Sequence, residues 1–119
     1  MKEIELPDFS DMITLASTIK ELTVEKLKIE LEIDARKAEI TLVAMSDSKY
    51  FQKDKPPAMN FLETTYLITG FDGELLELKG KLIYIISELD EAKLTMQIYR
   101  DMISLYQTES ANKRSATMV

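Results

Sequence analysis

With no histidine, no cysteine and no tryptophan among 119 residues, acid–base and metal chemistry in this chain falls to carboxylates, lysines, tyrosines and hydroxyls. Without cysteine there are no disulfides, thiolate metal sites or cysteine nucleophiles. Without histidine the commonest general base, the imidazole metal ligand and every histidine-centred triad are excluded. The best-spaced carboxylates are Glu74, Glu77, Glu88 and Glu91, which read E-x-x-E, a ten-residue gap, then E-x-x-E. On one helix they share a flank and could offer oxygen ligands to Mg²⁺. The solvated flank of a coiled coil produces the same spacing, with i,i+4 partners.

The paired glutamates are similar to the motifs of all-α nucleoside-triphosphate pyrophosphohydrolases. That resemblance implies an Mg²⁺-dependent nucleotide hydrolase with Glu74, Glu77, Glu88 and Glu91 as its acidic residues. In that family the pairs sit on separate helices and the last position is usually Asp, where this chain has Glu91. No Gly-rich phosphate loop accompanies them, because Gly70-Phe71-Asp72-Gly73 followed by Lys79-Gly80-Lys81 lacks the required order. On the residues themselves the expectation is a protein that is not an enzyme, with no catalytic residue, cofactor or metal site.

The elements that carry these side chains are marked by sparse punctuation. Pro7, the Pro56-Pro57 pair and Gly70, Gly73 and Gly80 account for all the prolines and glycines. Between them, about 8–47 and about 72–107 are proline-free, rich in Glu, Lys, Leu, Ile and Met, and read as long helices. In the second, Leu75, Leu82, Leu89, Met96 and Ile103 recur every seven residues, and Leu78, Ile85, Ala92, Tyr99 and Tyr106 follow three places later. These are the a and d positions of a coiled-coil seam, here expected to be an oligomer seam. Glu74 and Glu88 fall at g, and Lys79, Lys93 and Arg100 at e, the flanks that pair between chains. Asp72 is the expected N-cap, with Glu74 favoured in the first turn by the helix dipole. Gly73, Gly80 and Ser87 form a row of small residues on roughly the opposite face, either an approach for a second helix or a chance weak spot, since glycine costs a helix up to about 1 kcal/mol against alanine.

The first stretch carries two stripes. One runs Met12, Leu15, Ile19, Leu22, Ile29, Ile33, Ile40 and Val43, interrupted by Lys26 and Arg36. The other runs Val24, Leu27, Leu31, Ala35, Ala38, Leu42 and Met45, on nearly the opposite side of a helical wheel. A helix with two apolar sides asks for cover on both. Residues 24–45 also admit a rival reading as a β-hairpin, because Leu27, Ile29, Leu31 and Ile33 alternate with charged residues. The absence of a Gly or Asn turn and the density of Leu, Glu, Lys and Ala favour helix.

The connector 48–71 begins as a loop, SKYFQKDKPP, and continues as AMNFLETTYLITG, a short helix closed by Gly70 or an extended segment. The net charge of −6 divides unevenly: acidic residues outnumber basic ones 11 to 6 over 1–47 and 8 to 4 over 58–107. Only the connector loop and the end, ANKRSATMV, are locally basic, so a nucleic-acid partner is disfavoured. Residues 108–119 read as a flexible C-terminal tail. The start, MKEIELPDFS, lacks a secretory pattern, and the longest strongly apolar run, Leu82 to Ile86, falls far short of the ~20 residues of a membrane span. A cytoplasmic protein without a membrane partner is expected.

The fold expected is all-α: an elongated antiparallel helical hairpin, residues 1–107, each long helix about 55 Å at 1.5 Å per residue, completed by oligomerisation. The leading function is a non-enzymatic coiled-coil assembly, structural or adaptor protein that contacts itself and another protein. Small size and helical composition suggest a part of a large complex such as a phage particle. Off-seam Tyr84 and Met102, with Tyr50 and Phe51 of the loop, are the candidate partner contacts. A small acidic inhibitor or holdase-type binder is the alternative from another class, favoured by charge steering toward a basic partner.

Overall fold

The computed structural model describes residues 5–117, and the chain is an all-α helical hairpin. Its arms are α1 (Phe9–Ser46) and α4 (Glu74–Thr117); between them lie a 3₁₀ turn at Ser48–Tyr50 and two short helices, α2 (Met59–Thr64) and α3 (Tyr66–Thr69). No strand occurs among the described residues, and 24–45 is helical throughout. Alternation there lost to helix propensity: the span has no glycine, asparagine or proline at which a hairpin could turn.

Local chemistry sets the boundaries. Asp8 opens α1, its carboxylate accepting from the Ser10 backbone N–H at 3.0 Å. Beyond Ser46, the Asp47 side chain accepts from the Lys49 N–H at 3.0 Å and starts the 3₁₀ turn. Gln52 and Lys55 then close a tight turn by exchanging backbone hydrogen bonds of 2.8 and 3.0 Å. Lys53 and Asp54 both take positive φ in it, 51° and 62°. Pro57, which is buried, precedes α2, and Gly70 ends α3 at φ 83° with its N–H on the Tyr66 carbonyl at 2.7 Å.

Two differences from the sequence expectations concern α4. It begins at Glu74, so Gly73 at φ 79° precedes its first turn and Asp72 is not the capping residue. It also continues to Thr117, where a tail was expected from 108. Nothing between Gln107 and Thr117 stops a helix: the segment has no glycine or proline, and Lys113 lies 3.6 Å from Glu109 one turn before it. Residues 118–119 of that expected tail, and residues 1–4 of the N-terminal segment, lie outside the described residues.

The chain groups into two compact units, each drawing on both long helices. In the unit Val24–Ile86, Ile29, Ile33, Ile40 and Ala44 of α1, Leu62 of α2 and Leu75 and Ile85 of α4 are buried, with Ile40, Ala44, Leu62 and Leu75 fully so. In the other, formed by the described residues of 1–23 and 87–119, Leu89, Ala92 and Met96 are buried and Met12, Leu15, Ile19 and Leu22 are half-buried. Every position of the first stripe of α1 is thus at least half covered. Counted with Lys26 and Arg36, the stripe is a strict 3-4 alternation, the α1 counterpart of the α4 seam.

Candidate interaction surface

Within the unit Val24–Ile86, α1 and α4 are joined by a polar lock where the α1 stripe is broken by charge. Arg36 donates from Nε and Nη2 to Glu74 Oε1, at 3.2 and 2.8 Å. The same carboxylate reaches back over the start of α4, accepting from the Phe71 N–H at 3.1 Å and the Asp72 N–H at 2.7 Å. Glu74 therefore satisfies backbone donors that precede its own helix, as in a capping box. Desolvation pushes its carboxyl up, but the N–H groups of Asp72, Glu74 and Phe71 and the Arg36 guanidinium together bring it down from 4.5 to about 2. Arg36 is held charged by Glu39, which it also meets at 2.9 Å, and by Glu74.

This arrangement redirects several residues singled out from the sequence. Glu74 serves the lock, and Lys79 donates to the Ile68 carbonyl at 2.8 Å, near the C-terminus of α3. Both flanking charges, expected to pair between chains, are engaged within this one. Glu77 and Glu91 are exposed and Glu88 is half-buried. Among the described residues no group of three or more carboxylates is placed to hold a metal ion.

The connector's aromatics pack on one another. Tyr50 stacks on Phe71 at 4.3 Å between centroids, and Tyr66 meets Tyr50, Phe61 and Phe71 edge-on at 5.6, 5.9 and 4.9 Å. Tyr50, a candidate partner contact, is therefore a packing residue of the connector. Phe51 and Met102 are half-buried, and Tyr84 is exposed.

The expected oligomer seam is largely closed inside the chain. Leu75, Ile85, Leu89, Ala92 and Met96 are buried, and Leu78, Leu82, Tyr99 and Ile103 half-buried, with Tyr106 exposed at the end. The physical reason is that the first stripe of α1 offers the matching 3-4 pattern in the same chain, and an intramolecular partner needs no second chain to find it. The second stripe of α1 has no such cover. Leu31 and Leu42 are 68% and 71% exposed, Leu27 is 52% exposed, and Val24 and Met45 are exposed as well. Helix α4 shows a shorter outward row in this unit, Leu76 and Ile83. A Cβ on Gly80, in that row, would meet nothing within 4 Å, so the small residues seat no neighbouring helix of the unit.

Beside the α1 stripe runs an open groove of about 440 Å³. Its walls carry Glu32, Glu39, Glu74 and Glu77 against Arg36 and Lys81, with Ala35 of the stripe at its edge. Arg36 is already committed to two of those glutamates, which leaves the groove acidic.

The Arg36–Glu74 lock was not among the sequence expectations. The signal was there: an arginine standing in an apolar stripe, and a glutamate just ahead of the first seam residue of the facing helix. Compared with known protein families, curated proteins and solved structures, the chain matches none.

Proposed function

We propose that the chain is a non-enzymatic helical assembly or adaptor protein that acts through protein–protein contacts. The observation that carries this reading is the second apolar stripe of α1, exposed in the unit Val24–Ile86 while the first stripe is covered. Each leucine left in water forgoes about 1.5–3 kcal/mol that burial would contribute. A row of them at helical spacing is the mark of a contact face rather than of scattered surface residues. Self-association, expected from the α4 seam, would have to use an outward face instead, since that seam is occupied.

Chemical cross-linking in the native source tests the reading, with the parent chain and the variant Leu27→Gln/Leu31→Gln/Leu42→Gln compared at equal expression. A discrete cross-linked complex in the parent that disappears in the variant is the expected result. The same species in both, or none in either, would overturn it.

A further inference from the structure

We propose that the outer face of α1 between Val24 and Met45 is the docking site for an amphipathic helix of another protein, whose apolar seam is flanked by lysines or arginines. This deepens the reading above and rests on it.

The face has coiled-coil geometry of its own. Val24, Leu31, Ala38 and Met45 recur every seven residues, and Lys28, Ala35 and Leu42 stand between them, three residues before the last three of that set. The seam spans 21 steps of helix, about 32 Å or three heptads at 1.5 Å per residue, enough for a partner helix to engage several layers. Ala35 and Ala38 at its centre are small, which lets the partner backbone come close and receive large side chains between Leu31 and Leu42.

Charge selects the partner. One edge of the seam is Glu25, Glu32 and Glu39, again seven apart and all exposed. Glu32 and Glu39 also form the α1 wall of the acidic groove, opposite Glu77 of α4. Glu39 is paired with Arg36, and Lys81 is the one other cation lining the groove, so Glu25, Glu32 and Glu77 leave this edge with a net negative charge. A cationic side chain from a helix lying on the seam would reach this edge with its stem along Ala35 and its head among carboxylates.

A second copy of this chain fits the face badly in either direction. Laid antiparallel with its layers in register, Glu32 of one copy would meet Glu39 of the other, twice over. Laid parallel, Glu39 would meet Asp34, and Lys28 would face Lys28 inside the seam. Only Lys20 with Glu25 would attract. Like charges across a helix interface suppress pairing, while opposite charges steer and register it.

The test uses the intact protein and two synthetic helices with one apolar seam, the first with lysine and the second with glutamate at the flanks, followed by fluorescence anisotropy. The lysine helix is expected to bind at least about tenfold more tightly at low salt, with the gap shrinking as salt is raised. Glu25→Lys/Glu32→Lys should reverse the preference, and Leu31→Gln/Leu42→Gln should abolish binding of both while circular dichroism stays unchanged. Equal binding of the two helices, or binding of neither, overturns the proposal. So does a dimer in sedimentation equilibrium that the leucine variant breaks, because a second copy would then own the face. If these fail while the cross-linked native complex still depends on the leucines, the assembly reading stands and only the basic-helix partner falls.

Discussion

Arg36, in the C-terminal third of α1, and Glu74, the first residue of α4, meet through two hydrogen bonds to a single carboxylate oxygen, at 3.2 and 2.8 Å. The residues are 38 positions apart in the chain. Their pairing fixes where α4 starts against α1, and the backbone donors of Phe71 and Asp72 are satisfied by the same group.

Acid should loosen this lock. The Glu74 carboxyl titrates at about 2 in the folded protein against an ordinary 4.5, so the folded state holds fewer protons between those values. Its contribution is complete above about pH 5 and lost progressively as pH falls toward 2. Glu74→Ala is expected to lower stability by about 1–3 kcal/mol at neutral pH, from lost charged hydrogen bonds and a lost cap. Urea denaturation at pH 7 and pH 3 measures both, and the parent–variant gap should narrow at the lower pH.

The glycines separate by sign. A Cβ at Gly70 would run into the Glu74 carboxylate, and φ is 83° there. Gly70→Ala should therefore destabilise by at least about 1 kcal/mol. Gly80 is helical and a Cβ would meet nothing within 4 Å, so Gly80→Ala should stabilise by up to about 1 kcal/mol. Thermal melts of the two variants should move in opposite directions.

Apolar truncations divide by face. Ile40 and Leu75 are fully buried, and Ile40→Ala or Leu75→Ala should each cost about 2–5 kcal/mol. Leu31→Gln and Leu42→Gln, on the exposed stripe, should stay within about 0.5 kcal/mol of the parent. A large loss at Leu31 or Leu42 in dilute protein would mean that the stripe supports the fold.

The connector turn can be improved. Lys53 and Asp54 both hold positive φ, a conformation that asparagine and glycine adopt at less cost. Lys53→Asn/Asp54→Gly should raise the denaturation midpoint, by an amount equivalent to about 0.5–1 kcal/mol.

Much of the architecture could be read from residue order. Proline-free stretches rich in helix formers placed α1 and most of α4, and the heptads of Leu75 to Met96 marked the inward side of α4. Gly70 announced the end of α3, because a positive φ at a helix terminus is written in residue type. The end of α4 was not legible in the same way: polar composition after Gln107 reads as a tail, yet nothing in it stops a helix.

Pairing was decided only in three dimensions. Both stripes of α1 satisfy the same periodicity, and sequence alone ranks neither above the other. The fold buried the stripe that meets Leu75 to Met96 in a matching 3-4 pattern and left Leu27, Leu31 and Leu42 in water. The α4 seam was thereby consumed inside the chain. Glu74, one of four glutamates with the spacing of a metal motif, went to Arg36 because that guanidinium stood within reach across the helix pair. Sequence sets which residues can serve as seam, flank or cap, since those roles follow from local spacing. Which partner each one takes depends on distances between elements far apart in the chain, and tertiary packing alone sets those.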